Sequence, residues 1–184
     1  TMDQITVEDG RYGVRMGSAA QGKLTLTNVD LDNQSQDGVV LSKTMTLDLT
    51  GTIQNAGYCG LKVLDTNDGD WEFDGLTLNS NTVGITHDGS GTLFMSDTTM
   101  VGNTDDVTMS GSAQMEYLEG DITESKVSTA GGSQFTRLRA LDVSVTADTN
   151  GVDDAPVKIL NAVNLVVDSG TTDANGDVTG MSFI

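Results

Sequence analysis

Gly60-Leu61-Lys62-Val63 and, 24 residues later, Gly84-Ile85-Thr86-His87 decide how this chain folds. Each tetrad reads small, aliphatic, polar, then inward-facing. The pattern extends both ways along the chain. Gly13-Val14-Arg15-Met16 and Gly38-Val39-Val40-Leu41 come before; Asp106-Val107-Thr108-Met109 and Lys126-Val127-Ser128-Thr129 follow. The anchors Val14, Val39, Leu61, Ile85, Val107 and Val127 are spaced 25, 22, 24, 22 and 20 residues apart. Self-similarity at such a period is the mark of a solenoid, in which each repeat covers the apolar row of its neighbour.

A second short strand follows each anchor: Leu24-Thr25-Leu26, Leu47-Asp48-Leu49, Trp71-Glu72-Phe73, Leu93-Phe94-Met95 and Met115-Glu116-Tyr117. A third comes soon after, clearest in Val29-Asp30-Leu31 and Leu76-Thr77-Leu78. Gly, Asn, Asp and Ser fill the turns between them. Strands this short cannot form a core alone. Stacked coil on coil, about 4.8 Å apart, they pair in parallel. Alternation then places the anchor and the residue two beyond it inside, and the residues between them outside. No sustained helical periodicity competes with this reading, and Pro156 is the only proline.

Composition agrees. Aromatic residues make up only 4% of the 184, so large rings cannot supply the buried area that stacked aliphatic rows supply instead. Nine basic against 27 acidic residues give a net charge of −18, which argues against binding nucleic acid or an anionic membrane. No apolar run approaches the ~18 residues of a membrane-spanning helix. Cys59, the only cysteine, excludes a disulfide framework and a cysteine zinc site, and reads as a small buried hydrophobe. The ends, which carry no obvious caps, give the expectation of a processed form or an excised fragment.

The expected fold is therefore all-β: a right-handed, single-stranded parallel β-helix of about six to seven coils of 20–25 residues, over residues 1–140. With Asn33, Asn55, Asn81 and Asn103 near the turn after the third strand, it resembles the pectin-lyase-like superfamily. That superfamily includes lyases, hydrolases, tailspikes, adhesins and non-catalytic surface proteins, so the resemblance implies architecture more than activity. Residues 141–184 carry two readings. Val157-Lys158-Ile159-Leu160 with Val163–Val167 would make a further coil. Alternatively, Ala155-Pro156-Val157, Asn161-Ala162 and Thr171–Gly176 resemble the start of a carboxypeptidase-regulatory-like or Cna-B-like β-sandwich.

Catalytic candidates are few. Asn103-Thr104-Asp105-Asp106 resembles a compressed part of the polygalacturonase pattern, in which paired carboxyls act as acid and base. Asp105 and Asp106 would point to opposite faces, and the Gly-His-Gly and Arg-Ile-Lys elements of that family are missing. The run is equally a polar turn. His87, the only histidine, falls in register with the inward residues Met16, Leu41, Val63 and Met109, which suits a locally satisfied ring as well as an acid or base. On the outer row Arg15 and Lys62 stand two coils apart, and no assembled site is expected there.

Calcium is the one cofactor the sequence raises. Asp65, Asn67 and Asp70, in Asp65-Thr66-Asn67-Asp68-Gly69-Asp70, offer oxygen donors on near-alternate residues around a glycine. Asp148, Asp153 and Asp154 do the same in the run 148–154, and Asp173–Asp177 is similar. Every such run is also an ordinary Asx-rich turn.

The functional expectation is a non-catalytic structural or adhesive segment of a secreted or cell-surface protein, with polysaccharide or another copy meeting its coil ends as partner. Two alternatives stay open: a lyase or hydrolase of uronate-containing glycans, and a calcium-dependent binding module.

Overall fold

The computed structural model describes residues 2–3, 6–16, 23–41, 46–64, 70–147, 150–160 and 166–183. Two compact units divide the chain, Thr1–Thr136 and Arg137–Ile184. The first is a parallel β-solenoid of about five turns.

Its first sheet is built from the tetrads. Val14–Arg15, Val39–Leu41, Cys59–Val63, Val83–His87, Asp105–Met109 and Val127–Thr129 stack in chain order, all parallel. The register runs Val14, Val39, Leu61, Ile85, Val107, Val127, each anchor beside the next. Six strands stack in this sheet among the described residues. Leu41, Leu61, Val63, Ile85 and Val107 are fully buried. Each such side chain contributes about 1.5–3 kcal/mol on leaving water.

The glycine before the anchor has a packing reason. A Cβ on Gly38 would collide with Ile53 of the next coil's third strand, and one on Gly60 would lie 2.9 Å from both Asn81 Nδ2 and Gly84 O. These positions face the interior where successive coils come closest, and only hydrogen fits.

In the first two complete coils the second and third strands are fused, as Lys23–Asp32 and Thr46–Gln54, with a register shift between Leu26 and Val29. Later coils separate them. Leu76–Asn79 and Thr99–Val101 continue the sheet of third strands, while Trp71–Asp74, Thr92–Ser96, Gln114–Leu118 and the start of Gln134–Ser144 form a sheet of second strands. Leu26, Leu49, Phe73, Met95 and Tyr117 fill one inward row, and Leu31, Ile53, Leu78 and Met100 another. The row of second strands is not continuous, contrary to expectation. Leu47–Leu49 pair with Leu24–Leu26, and Trp71–Phe73 pair with Leu93–Met95. Among the described residues no rung joins Leu47–Leu49 to Trp71–Phe73.

The corner after the third strand is occupied by Asp9, Asn33, Asn55, Ser80 and Gly102, all with φ between 54° and 70°. Asn, Asp and Gly tolerate this left-handed backbone best. The four asparagines expected to be equivalent there fall into two groups. Asn33 and Asn55 are the exposed corner residues, whereas Asn81 and Asn103 come one residue later and are buried, 2% and 1% exposed.

In the second unit the described strands pair antiparallel: Gln134–Ser144, which runs across the division, with Asp177–Phe183; Thr146–Ala147 with Asn150–Gly151; and Pro156–Leu160 with Val166–Thr171.

Candidate functional site

The two carboxyls and the histidine raised as catalytic candidates are not gathered into one cavity. Asp106 occupies the position that is glycine in four earlier tetrads, so its side chain enters the interior and is 1% exposed. Its Oδ1 accepts from Asn103 Nδ2 at 3.2 Å and its Oδ2 from the Thr123 N–H at 2.8 Å. Both oxygens are thus engaged, one within its own corner and one with the chain 17 residues on. Asp105 is exposed, on the other side of the strand. His87 is buried in the inward row, as its register required. Its Nε2 stands 2.9 Å from Gly91 O and its Nδ1 accepts from the Gly89 N–H at 3.3 Å. These contacts fit the neutral ring with the proton on Nε2. Burial pushes its pKa below the ordinary value, against the opposing pull of the Gly91 and Gln114 backbone. Both ring nitrogens are thus bonded within its own turn, the arrangement of a locally satisfied histidine.

Of the calcium candidates, Asp65, Asn67 and Asp148 lie outside the described residues. Asp70 is exposed and accepts the Thr92 N–H at 2.7 Å. Asp153 and Asp154 are exposed in a turn where the Asp154 N–H reaches Thr172 O at 3.0 Å. Asp173 Oδ1 accepts the N–H groups of Asn175 (2.8 Å) and Asp177 (3.1 Å), and these bonds hold its pKa below the usual carboxylate range. That carboxylate closes an Asx turn. Among the described residues no three His, Cys, Asp or Glu side chains converge as a metal site would require.

The structure instead assembles a cleft at the corner leading into the first sheet, across three successive coils. The backbone register there sets Arg11, Gln36 and Tyr58 side by side: the Gln36 N–H donates to Arg11 O and the Tyr58 N–H to Gln36 O. One residue further on, Gly13 N–H donates to Asp37 O and Gly38 N–H to Cys59 O, which sets Asp37 between Tyr12 and Cys59. Tyr12, Ser35, Gln36, Asp37, Gly57, Tyr58 and Lys62 line a cleft of about 470 Å³.

Cations flank both rings. Arg15 Cζ lies 4.9 Å and Arg11 Cζ 5.3 Å from the centre of the Tyr12 ring, and Lys62 Nζ lies 5.0 Å from that of Tyr58. Such contacts fix the cations by the negative face of the ring. Arg11 Nε also donates to Gln36 Oε1 at 2.9 Å. Three of the chain's nine Lys and Arg residues therefore converge on one small area of a molecule of net charge −18.

Between the rings sits Asp37, only 7% exposed. Its Oδ1 is buried without a hydrogen-bond partner. Burial pushes its pKa up, opposed by Lys62, the Cys59 backbone and Arg15 in that order. A buried carboxylate oxygen with nothing to accept costs stability and marks a place where a donor belongs. Next to it, Cys59 is buried and its thiol is pushed up to about 12, chiefly by burial. Its Sγ donates to Leu61 O at 3.0 Å, so it is packing, not a nucleophile.

Arg15 and Lys62 stand two coils apart in the repeat, and no local pattern in the sequence marks Tyr12, Asp37 or Tyr58. The missing signal was the residue pair two and three places before the anchor. Read down successive coils, it gives Arg11-Tyr12, Gln36-Asp37 and Tyr58-Cys59, which concentrates two of the three tyrosines at one corner.

Comparison with protein-family models, with curated proteins and with solved structures finds no match for this chain.

Proposed function

We propose that the chain is a non-catalytic structural or adhesive solenoid, right-handed as parallel crossovers generally are, that holds acidic polysaccharide in the Tyr12–Tyr58 cleft. The observation that carries this reading is the buried, partnerless Asp37 carboxylate oxygen between two tyrosines flanked by cations. A sugar ring suits each part. Its apolar face packs on an aromatic ring, its hydroxyls donate to the Asp37 carboxylate, and a uronate carboxylate pairs with Lys62 or Arg15. The net negative charge repels polyanions at long range and confines their contact to this local cationic patch. A secreted or cell-surface setting follows for a protein whose ligand is extracellular glycan.

Binding to immobilised uronate polymers, and not to neutral glucans, is the expected result. Retention should fall with Tyr58→Ala, whose side chain is 51% exposed and removable without unfolding the core. Failure to retain any polymer defeats the reading. Release of reducing ends or of an unsaturated, ultraviolet-absorbing product from uronate polymer would replace it with the lyase or hydrolase alternative.

A further inference from the structure

The Tyr12–Tyr58 cleft carries its charges in a fixed order along the stack of coils. Arg15, Val40 and Lys62 stand in one row of the first sheet, each beside the next. The two cations are therefore two rungs apart, about 9.6 Å at the backbone. The middle coil adds no cation to that row, for Val40 is apolar and 3% exposed. It supplies Asp37 instead, which the backbone sets between Tyr12 of the coil before and Cys59 of the coil after. The cations are held on the two tyrosine rings, with Arg11 joining Arg15 at Tyr12. Both Lys62 and Arg15 act on the Asp37 carboxyl through space, Lys62 the more strongly. From coil to coil the order is positive, negative, positive.

We propose, resting on the acidic-glycan reading above, that the cleft selects a glycan in which uronate alternates with a neutral sugar. The chain lies along the stack with one ring to each coil. An extended pyranose chain advances by about one rung per ring, so carboxylates on every second ring come level with Arg15 and Lys62. The ring between them meets Asp37. A third carboxylate at that place would face a like charge in a partly enclosed cleft, and like-charge contact is what suppresses a wrong partner. A neutral ring instead offers hydroxyl or amide N–H donors to a carboxylate whose Oδ1 has no other partner. Asp37 is thus the residue that sets specificity, and the cations supply the attraction common to both kinds of acidic chain. Attraction by net charge alone would rank the ligands the other way, since a homouronate carries twice the carboxylates of an alternating chain of equal length.

Calorimetric titration of the intact chain with three oligosaccharides of equal length tests this. One alternates uronate with N-acetylhexosamine, one is uronate throughout, and one is the carboxyl-reduced form of the second. The alternating oligomer should bind at least about tenfold more tightly than the homouronate, with the neutral one weakest. Asp37→Asn should bring the two acidic oligomers to equal affinity, chiefly by weakening the alternating one. Lys62→Gln should weaken both alike and keep their ratio. A wild-type chain that binds homouronate as tightly as the alternating oligomer, or more tightly, overturns the proposal and leaves the acidic-glycan reading standing. A preference that survives Asp37→Asn unchanged also overturns it, because the selection would then lie elsewhere. Binding of neither acidic oligomer defeats the acidic-glycan reading itself and this inference with it.

Discussion

Replacing Asn103 by alanine should be among the most damaging single changes to the solenoid, although no apolar group is lost. The side chain is 1% exposed and spans neighbouring coils. Its Oδ1 accepts the Asn81 N–H at 3.0 Å and Asn81 Nδ2 at 3.2 Å, and its Nδ2 donates to Leu78 O at 3.0 Å and Asp106 Oδ1 at 3.2 Å. Asn81 repeats the arrangement one coil earlier, accepting the Ala56 N–H at 2.9 Å and donating to Ile53 O at 3.1 Å. Alanine strands the Asn81 N–H in the interior, costing about 1–3 kcal/mol, and removes three further bonds worth about 0.5–1.5 kcal/mol each. The expected loss is about 3–4 kcal/mol. Asn55→Gly is the matched control. Asn55 is exposed with φ 54°, a conformation glycine adopts freely, so the change should stay within about 1 kcal/mol. Urea unfolding followed by Trp71 emission measures both, with an unchanged m-value as the sign that only the native state is affected. A loss below about 1 kcal/mol for Asn103→Ala, or one no larger than for Asn55→Gly, would refute the argument that buried amides lock the coils together.

Three further outcomes follow from buried titratable groups. His87 has a folded-state pKa below its unfolded value near ~6.5, so the unfolded chain takes up the proton first as pH falls. Stability should be steady above that value and decline as pH drops toward the folded pKa, and His87→Gln should flatten this part of the profile in urea midpoints taken across the range. Asp37 is the opposite case: its folded pKa is raised, so the ionised carboxylate weakens the fold at neutral pH and the loss is recovered as pH falls through the folded value. Asp37→Asn should therefore raise the urea midpoint at pH 7 while weakening uronate binding; a lower midpoint would show that the carboxylate is better satisfied than its geometry indicates. Cys59, with its thiol raised to about 12, should resist alkylation in the native protein and react only in step with global unfolding, as mass spectrometry of timed iodoacetamide labelling can show.

Much of the solenoid was legible because the repeat is a physical necessity. Stacked coils need apolar residues at matching positions, so the anchors Val39, Leu61, Ile85 and Val107 could be aligned by eye, and they pair in that register. The same alignment places His87 inside, where it is buried. Three features were not legible. The division of the asparagines depends on which of two consecutive residues takes the left-handed backbone: Asn33 and Asn55 take it, but Ser80 and Gly102 take it in the coils of Asn81 and Asn103. The break between Leu49 and Phe73 leaves the alternating pattern of each strand intact, since pattern records which side chains face inward and not whether neighbouring backbones bond. The Tyr12–Asp37–Tyr58 cleft joins residues from three coils at a corner, where spacing varies and no single stretch carries the signature. Chemistry inferred from a short local motif fared differently. Asp106 matched a catalytic run in type but is held at both oxygens by Asn103 and Thr123.

The central claim is that the cleft between Tyr12 and Tyr58 binds acidic sugar. Calorimetric titration of an oligogalacturonate into the intact chain, beside its carboxyl-reduced neutral counterpart, tests it most directly. The account predicts saturable binding of the acidic oligomer, at least about tenfold weaker binding of the neutral one, and loss of the signal in Tyr58→Ala and in Lys62→Gln. Equal heats from the wild type and both variants would contradict it, because any binding would then lie elsewhere on the solenoid.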